Sequence, residues 1–173
     1  MFAALVIVGL IALQRIFEVF YAQRNTRALM AQGAVEAGAN HYPILIGMHV
    51  AWFIAVVLAL PHPVIINWWL IATMAVLQLL RLWVMTALGP YWTTRVITLD
   101  SAPLITSGPF RYLRHPNYMV VVAEIAILPL AFGEIWVAIV FSILNAAMLS
   151  WRISVENQAL AARRNLPPQP KPA

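Results

Sequence analysis

The sequence predicts an all-α integral membrane protein, a bundle of about five transmembrane helices around a pocket that faces the cytoplasm. Three observations lead there. Hydrophobic residues make up 62% of the 173-residue chain and charged residues 10%. A water-soluble domain of this length, which buries only about two thirds of its surface, needs far more polar residues to cover the rest. Apolar stretches long enough to cross a bilayer recur along the chain. Basic residues collect in alternate connections between those stretches, as orientation in a membrane demands.

The expected spans are residues 2–22, 42–60, 64–88, 117–132 and 134–155. The first lacks a basic leading segment and carries Gln14, Arg15 and Glu18 in its second half, so it is expected to remain as a helix and not to act as a cleaved signal. Pro61-His62-Pro63 separates the second span from the third, and Gly133 separates the fourth from the fifth. Neither turn holds Lys or Arg, whereas Arg24 and Arg27 follow the first span, Arg95, Arg111 and Arg114 follow the third, and Arg163, Arg164 and Lys171 follow the fifth. The positive-inside rule then puts the N-terminus outside and the C-terminus in the cytoplasm, which requires an odd number of spans. Trp68, Trp69 and Trp136 are expected at the outer interface, and Tyr91, Trp92 and Trp151 at the inner one. Residues 1–166 read as one domain, and the proline-rich tail, 167–173, is expected to be disordered.

Several ionisable or amide groups sit toward the cytoplasmic ends of the spans: Arg15, Glu18, Gln78, Arg81, Glu124, Arg152 and Glu156. An ionisable group at membrane depth costs roughly 2.5–3.5 kcal/mol on insertion scales, so such groups pair with one another or line a wet cavity. Arg15 and Glu18, three apart, can neutralise each other, and Arg81 can pair with Glu124. Without cysteine there is no disulfide framework, thiolate metal site or thiol nucleophile. No metal is expected. The net charge of +5 is spread too thinly for a nucleic-acid partner, so membrane orientation accounts for it better.

Residues 89–116, "GPYWTTRVITLDSAPLITSGPFRYLRHP", form the longest polar connection. Its aromatic content argues against disorder and for folding against the membrane face. Gly108-Pro109 signals a turn, and Pro116 suits the first position of the next helix, where its missing N–H is no loss. His115 and its neighbours then crowd a helix N-terminus, an environment that favours anionic groups. Arg111 and Arg114 have positive-inside anchoring as their structural explanation, and His115 a hydrogen bond at the helix start.

At "LITSGPFRYLRHPNY", followed about 34 residues later by "RISVENQAL", the sequence resembles the isoprenylcysteine carboxyl methyltransferase family. The resemblance spans residues 89–162 and rests on an RHPxY core with a downstream Arg-x-x-x-Glu. "GAVEAGANHYP", at 33–43, looks like a short bacterial branch associated with type III polyketide synthases, whose members methylate alkylpyrone-type products. The resemblance implies an O-methyltransferase that uses S-adenosyl-L-methionine, with a lipophilic small-molecule acceptor in contact with membrane lipid, in the bacterial cytoplasmic membrane. It implies that Leu104, Ile105, Phe110, His115, Pro116, Asn117 and Tyr118 border the cofactor, with Arg95 at a neighbouring contact position. Arg152 and Glu156 would face the reacting end of the acceptor. This chain departs from the family pattern in three places. Phe110 stands where a tyrosine is common, Asn157 where a second acidic residue is usual, and Arg95 is not the residue that pattern leads one to expect.

Methyl transfer from a sulfonium is an in-line displacement, so the protein must chiefly hold donor and acceptor in line. A fixed cation near the acceptor oxygen lowers its pKa and orients it, and Arg152 suits that role. Glu156, four residues on and on the same helical face, can hold the guanidinium, contact the cofactor or accept the acceptor's proton. Two other readings stay open. NADPH-dependent membrane reductases of the sterol type also resemble the "RHPNY" stretch, but they usually follow the tyrosine with Gly-Glu, whereas Met119-Val120-Val121-Val122 follows here and the glutamate is delayed to Glu124. A channel or transporter needs a charged pathway into the outer half, which the sequence does not offer.

Overall fold

The computed structural model describes residues 1–99 and 105–164. The tail at 167–173 and the expected cofactor contact Leu104 lie outside the described residues. The helices are α1 (Phe2–Ala31), α2 (Tyr42–Leu58), α3 (Trp68–Leu88), α4 (Pro116–Ala131) and α5 (Ile135–Arg164). Two short strands, β1 (Val35–Ala37) and β2 (Val96–Thr98), pair antiparallel with Val35 opposite Thr98. Single 3-10 turns at Ala39–His41, Gly89–Tyr91 and Gly108–Arg111 shape the connections.

Hydropathy located every helix but not every helix end, because it marks where lipid stops and not where hydrogen bonding stops. α1 runs on to Ala31 past its apolar part, and this overhang is tied down by side chains. Asn25 Nδ2 donates to Trp92 O at 2.9 Å and Gly89 O at 3.2 Å, and the Tyr21 hydroxyl donates to Gly89 O at 3.3 Å. α3 begins four residues later than expected because Asn67 caps it, its Oδ1 accepting from Trp69 N and Leu70 N.

Four helical segments are long and apolar enough to cross a membrane, and α4 is not among them. It opens on Pro116 as expected and closes just after Pro129, giving 16 residues, a rise of about 24 Å. The hydrocarbon core is about 30 Å thick. The fourth expected span is therefore a short helix held by protein. α4 packs against both α3 and α5, burying Val120, Glu124, Ile125, Leu128 and Ala131.

β1 lies in the α1–α2 connection and β2 in the α3–α4 connection, so their pairing holds both connections at one end of the bundle. Arg152, in the second half of α5, reaches the same end, its Nη2 donating to Thr94 O at 2.8 Å. At the opposite end Asn67 N donates to Ala131 O at 2.9 Å. α1 consequently begins at one end of the bundle and α5 finishes at the other. The main core gathers Val8, Trp52, Val56, Ile125, Leu128 and Phe132, and a second cluster of Ala22, Val84 and Trp92 sits beneath the connections. Trp68, Trp69 and Trp136 are exposed as interface residues should be. Trp92 is not an interface residue: it is only 3% exposed and belongs to the second cluster.

The polar groups inside the spans close into a ring. Arg15 Nη1 pairs with Glu18 Oε2 at 2.5 Å and Arg15 Nη2 with Glu124 Oε1 at 2.7 Å. Arg81 Nη1 pairs with Glu18 Oε2 at 3.3 Å, and Arg81 Nη2 with Glu124 Oε2. Gln14 donates to Glu18 Oε1 and Gln78 Oε1, and Gln78 donates to Glu124 Oε1. Two positive and two negative charges thus compensate one another across α1, α3 and α4. Pairing is how these groups are accommodated at depth.

Candidate active site

The site forms where the two connections, the start of α4 and the last turns of α5 converge. Arg152 is 6% exposed. Its guanidinium is held from three sides: Nε donates to the Tyr118 hydroxyl at 2.9 Å, Nη2 donates to Thr94 O at 2.8 Å, and Nη1 lies 3.5 Å from His41 Nε2. A guanidinium has more N–H groups than these three contacts use, so Arg152 retains donors for a ligand.

Arg152 and Glu156 lie on one face of α5, but no direct ion pair joins them among the described residues. The Tyr118 hydroxyl stands between them, accepting from Arg152 and donating to Glu156 Oε2 at 2.5 Å. Glu156 Oε1 lies 3.6 Å from His115 Nδ1. The His115 ring stacks on Tyr118, with centroids 5.2 Å apart and planes 14° off parallel. Pro116, by starting α4, places His115 just before the helix and Tyr118 in its first turn.

Two cavities meet here. A smaller one of about 180 Å³ is lined by Arg95, Phe110, Arg114, His115, Pro116, Asn117, Tyr118, Arg152 and Glu156, among others. A larger one of about 540 Å³ runs between α1 and α2 and is mostly apolar, with Ile16, Phe20, Ile46 and Phe53 in its walls. Trp92, Thr93, Asn117, Tyr118 and Arg152 line both. Asn117 Oδ1 and Trp92 Nε1 are buried without a hydrogen-bond partner at this junction.

The described residues expected to surround a cofactor therefore come together, with two qualifications. Ile105 is half-buried but is not among the residues that line the smaller cavity. Arg95 lines it, yet its charge is answered by Glu36, whose oxygens lie 3.0 and 2.8 Å from Nη1, and its guanidinium stacks over Tyr42 with 4.4 Å to the ring centroid. Arg111 and Arg114 are exposed.

Comparison with known proteins matches the isoprenylcysteine carboxyl methyltransferase family over residues 68–162. The chain belongs to that family. It is similar to the uncharacterized protein YpbQ of Bacillus subtilis, 35% identical over 158 residues that cover 89% of this chain and 94% of the relative. It is also similar to an uncharacterized protein of Haemophilus influenzae, 27% identical over 152 residues that cover 85% of this chain and 88% of that one. No solved structure matches it significantly. Family membership and the four long apolar helical segments make it an integral membrane protein of a methyltransferase family.

The family match covers α3 to α5 and leaves out α1, α2 and β1. The site residues that sequence reasoning missed lie mainly in that uncovered part: Glu36, His41 and Tyr42. Their signal was a polar stretch, "GAVEAGANHYP", too short for any periodicity. Gly38 lets this stretch close over Arg152. Its φ of +63° suits glycine, and a Cβ there would fall 2.7 Å from Val155 Cγ1 and 2.8 Å from His41 Nδ1.

Proposed function

We propose that this protein is an S-adenosylmethionine-dependent O-methyltransferase that acts on a lipophilic acceptor. The observation that carries the proposal is the meeting of a small polar cavity and a large apolar one at a buried, three-way-held arginine. The smaller cavity's residues fit the cofactor. Arg114 offers a cation to its carboxylate, Asn117 Oδ1 is an unpartnered buried acceptor for an amino group, and Phe110 and Trp92 offer apolar faces to its base. S-adenosylmethionine supplies an electrophilic methyl group on a sulfonium.

The chain's own residues then do three things. Arg152 directs its remaining N–H groups at the junction, where an acceptor oxygen in the larger cavity is oriented and its negative charge stabilised. Tyr118 fixes the guanidinium's angle and keeps Glu156 beside it without letting the two neutralise each other directly. Glu156 Oε1 stays available to take a proton from a neutral hydroxyl acceptor, a role not needed by a carboxylate or an acidic enol that is already ionised. The apolar walls between α1 and α2 hold the acceptor's chain. Acceptors of the isoprenylcysteine or alkylpyrone kind have this form, an acidic oxygen on a long apolar body.

The placement of Arg24 and Arg27 in the last turns of α1 and of Arg95, Arg111 and Arg114 in the α3–α4 connection, all at the site end, supports a cytoplasmic site in the bacterial inner membrane, with the N-terminus outside. Two measurements test the function. Calorimetry should detect binding of S-adenosylmethionine or its demethylated product, and binding of NADPH alone overturns the proposal. Arg152→Ala should abolish methyl transfer while leaving cofactor affinity largely intact, and unchanged turnover removes Arg152 from the mechanism.

A further inference from the structure

Away from the junction the larger cavity is mostly apolar, but a further stretch of its wall is polar. His49, Arg15, Glu18 and Arg81 line it there. His49 stands eight residues along the chain from His41, the neighbour of Arg152, which on α2 is a rise of roughly 12 Å. The charges at this level are matched within the Arg15–Glu18–Arg81–Glu124 ring. His49 is matched on one side only. Its Nδ1 lies 2.8 Å from Leu45 O, and a carbonyl only accepts, so in the neutral imidazole Nδ1 carries the proton. Nε2 is left as a lone-pair acceptor with no bonding partner among the described residues.

A plain alkyl chain lying here would strip water from His49 Nε2 and from the cavity-facing edge of Arg15 and give nothing back. A chain bearing a hydroxyl would donate to Nε2 and offer its oxygen to the Arg15 side. We infer that this cavity takes an acceptor whose apolar chain carries a hydroxyl, or another hydrogen-bond donor, roughly 12 Å from the oxygen that is methylated, held by His49 Nε2. The identity of the other end rests on the methyltransferase proposal. His49 is then a specificity residue: a site built to bond a hydroxyl rejects the analogue that lacks it.

The test uses purified full-length protein in lipid nanodiscs. It is titrated, by intrinsic tryptophan fluorescence, with hexadecanoic acid and with hydroxyhexadecanoic acids whose hydroxyl is moved along the chain. One mid-chain position is expected to bind about tenfold more tightly than hexadecanoic acid. His49→Leu should remove that preference, and His49→Gln, which keeps an acceptor, should retain it. Equal binding across the series, binding of none of its members, or a preference that survives His49→Leu overturns the inference. Methyl incorporation into the same series separates the two readings. Hydroxyl-dependent binding without methyl transfer sinks the enzyme reading and supports the His49 site, whereas transfer indifferent to the hydroxyl sinks the site alone.

Discussion

Replacing Tyr118 with Phe removes one oxygen and, with it, the only described link between Arg152 and Glu156. Two charge-assisted bonds disappear, one from Arg152 Nε at 2.9 Å and one to Glu156 Oε2 at 2.5 Å. A bond to a charged group contributes about 1.5–3 kcal/mol. The guanidinium is still gripped by Thr94 O and His41, so it turns within its seat and does not leave it, and Glu156 becomes free to swing toward it. Loss of the bond that orients Arg152, about 1.5–3 kcal/mol, is roughly a ten- to hundredfold fall in kcat/KM. The Phe ring keeps its stack against His115, so cofactor affinity should change by no more than about threefold. The assay is transfer of labelled methyl from S-adenosylmethionine into lipid extract, with calorimetry for the cofactor. Turnover within about twofold of wild type, or a loss carried wholly by cofactor affinity, refutes the bridging role.

Breaking the charge ring from one side should be costly: Arg81→Met or Glu124→Leu alone leaves a buried charge unanswered and should destabilise by about 3–5 kcal/mol. The double variant should lose less than the sum of the two, by at least about 1 kcal/mol, in thermal or denaturant unfolding in detergent. Gly38→Ala should destabilise by about 1–2 kcal/mol through its positive φ and its clash with Val155 and His41. Because the clash displaces a neighbour of Arg152, activity should fall as well, and full activity and stability in the Gly38→Ala variant contradict the packing described. Glu134, in the turn before α5, is buried with neither carboxylate oxygen partnered, and burial pushes its pKa from 4.5 up to about 7. The folded chain thus holds a proton that the unfolded chain releases. Glu134's contribution is complete below about pH 4.5 and is lost as pH rises through about 7. Glu134→Gln should flatten the fall of melting temperature over that range.

What the sequence made legible follows from which forces act locally. Apolar runs announce burial in lipid, so all five helices could be placed. Pro116 marked the start of α4 because its chemistry is confined to the residue itself. The partners of Arg152 were of a different kind. Tyr118 and Glu156 sit in motifs with recognisable spacing, whereas His41 and Thr94 reach the guanidinium only because two three-residue strands pair across a separation of about sixty residues in the chain. Such short strands leave no periodic trace. Trp92 misled for a related reason: a tryptophan at the end of a span has the same sequence signature whether it faces headgroups or turns inward beneath Asn25.

The β1–β2 pairing also explains how a cation can stand at the mouth of an apolar cavity. A lone buried guanidinium on α5 would be driven toward water, because its desolvation is repaid only when its N–H groups find acceptors. The acceptors come from three separate segments: His41 from the α1–α2 connection, Thr94 from the α3–α4 connection and Tyr118 from α4. The strand pair fixes the first two relative to each other, and the ion pair of Glu36 with Arg95 pins β1 to the start of β2. All three acceptors are neutral. Among the described residues no carboxylate pairs directly with Arg152 where the two cavities join, whereas the charge of Arg95 is answered by Glu36. A charge to be used on an anionic oxygen has to be held by dipoles and not cancelled by a carboxylate. Under the proposed function, Arg152 is by that criterion the residue of the site that would bind the acceptor.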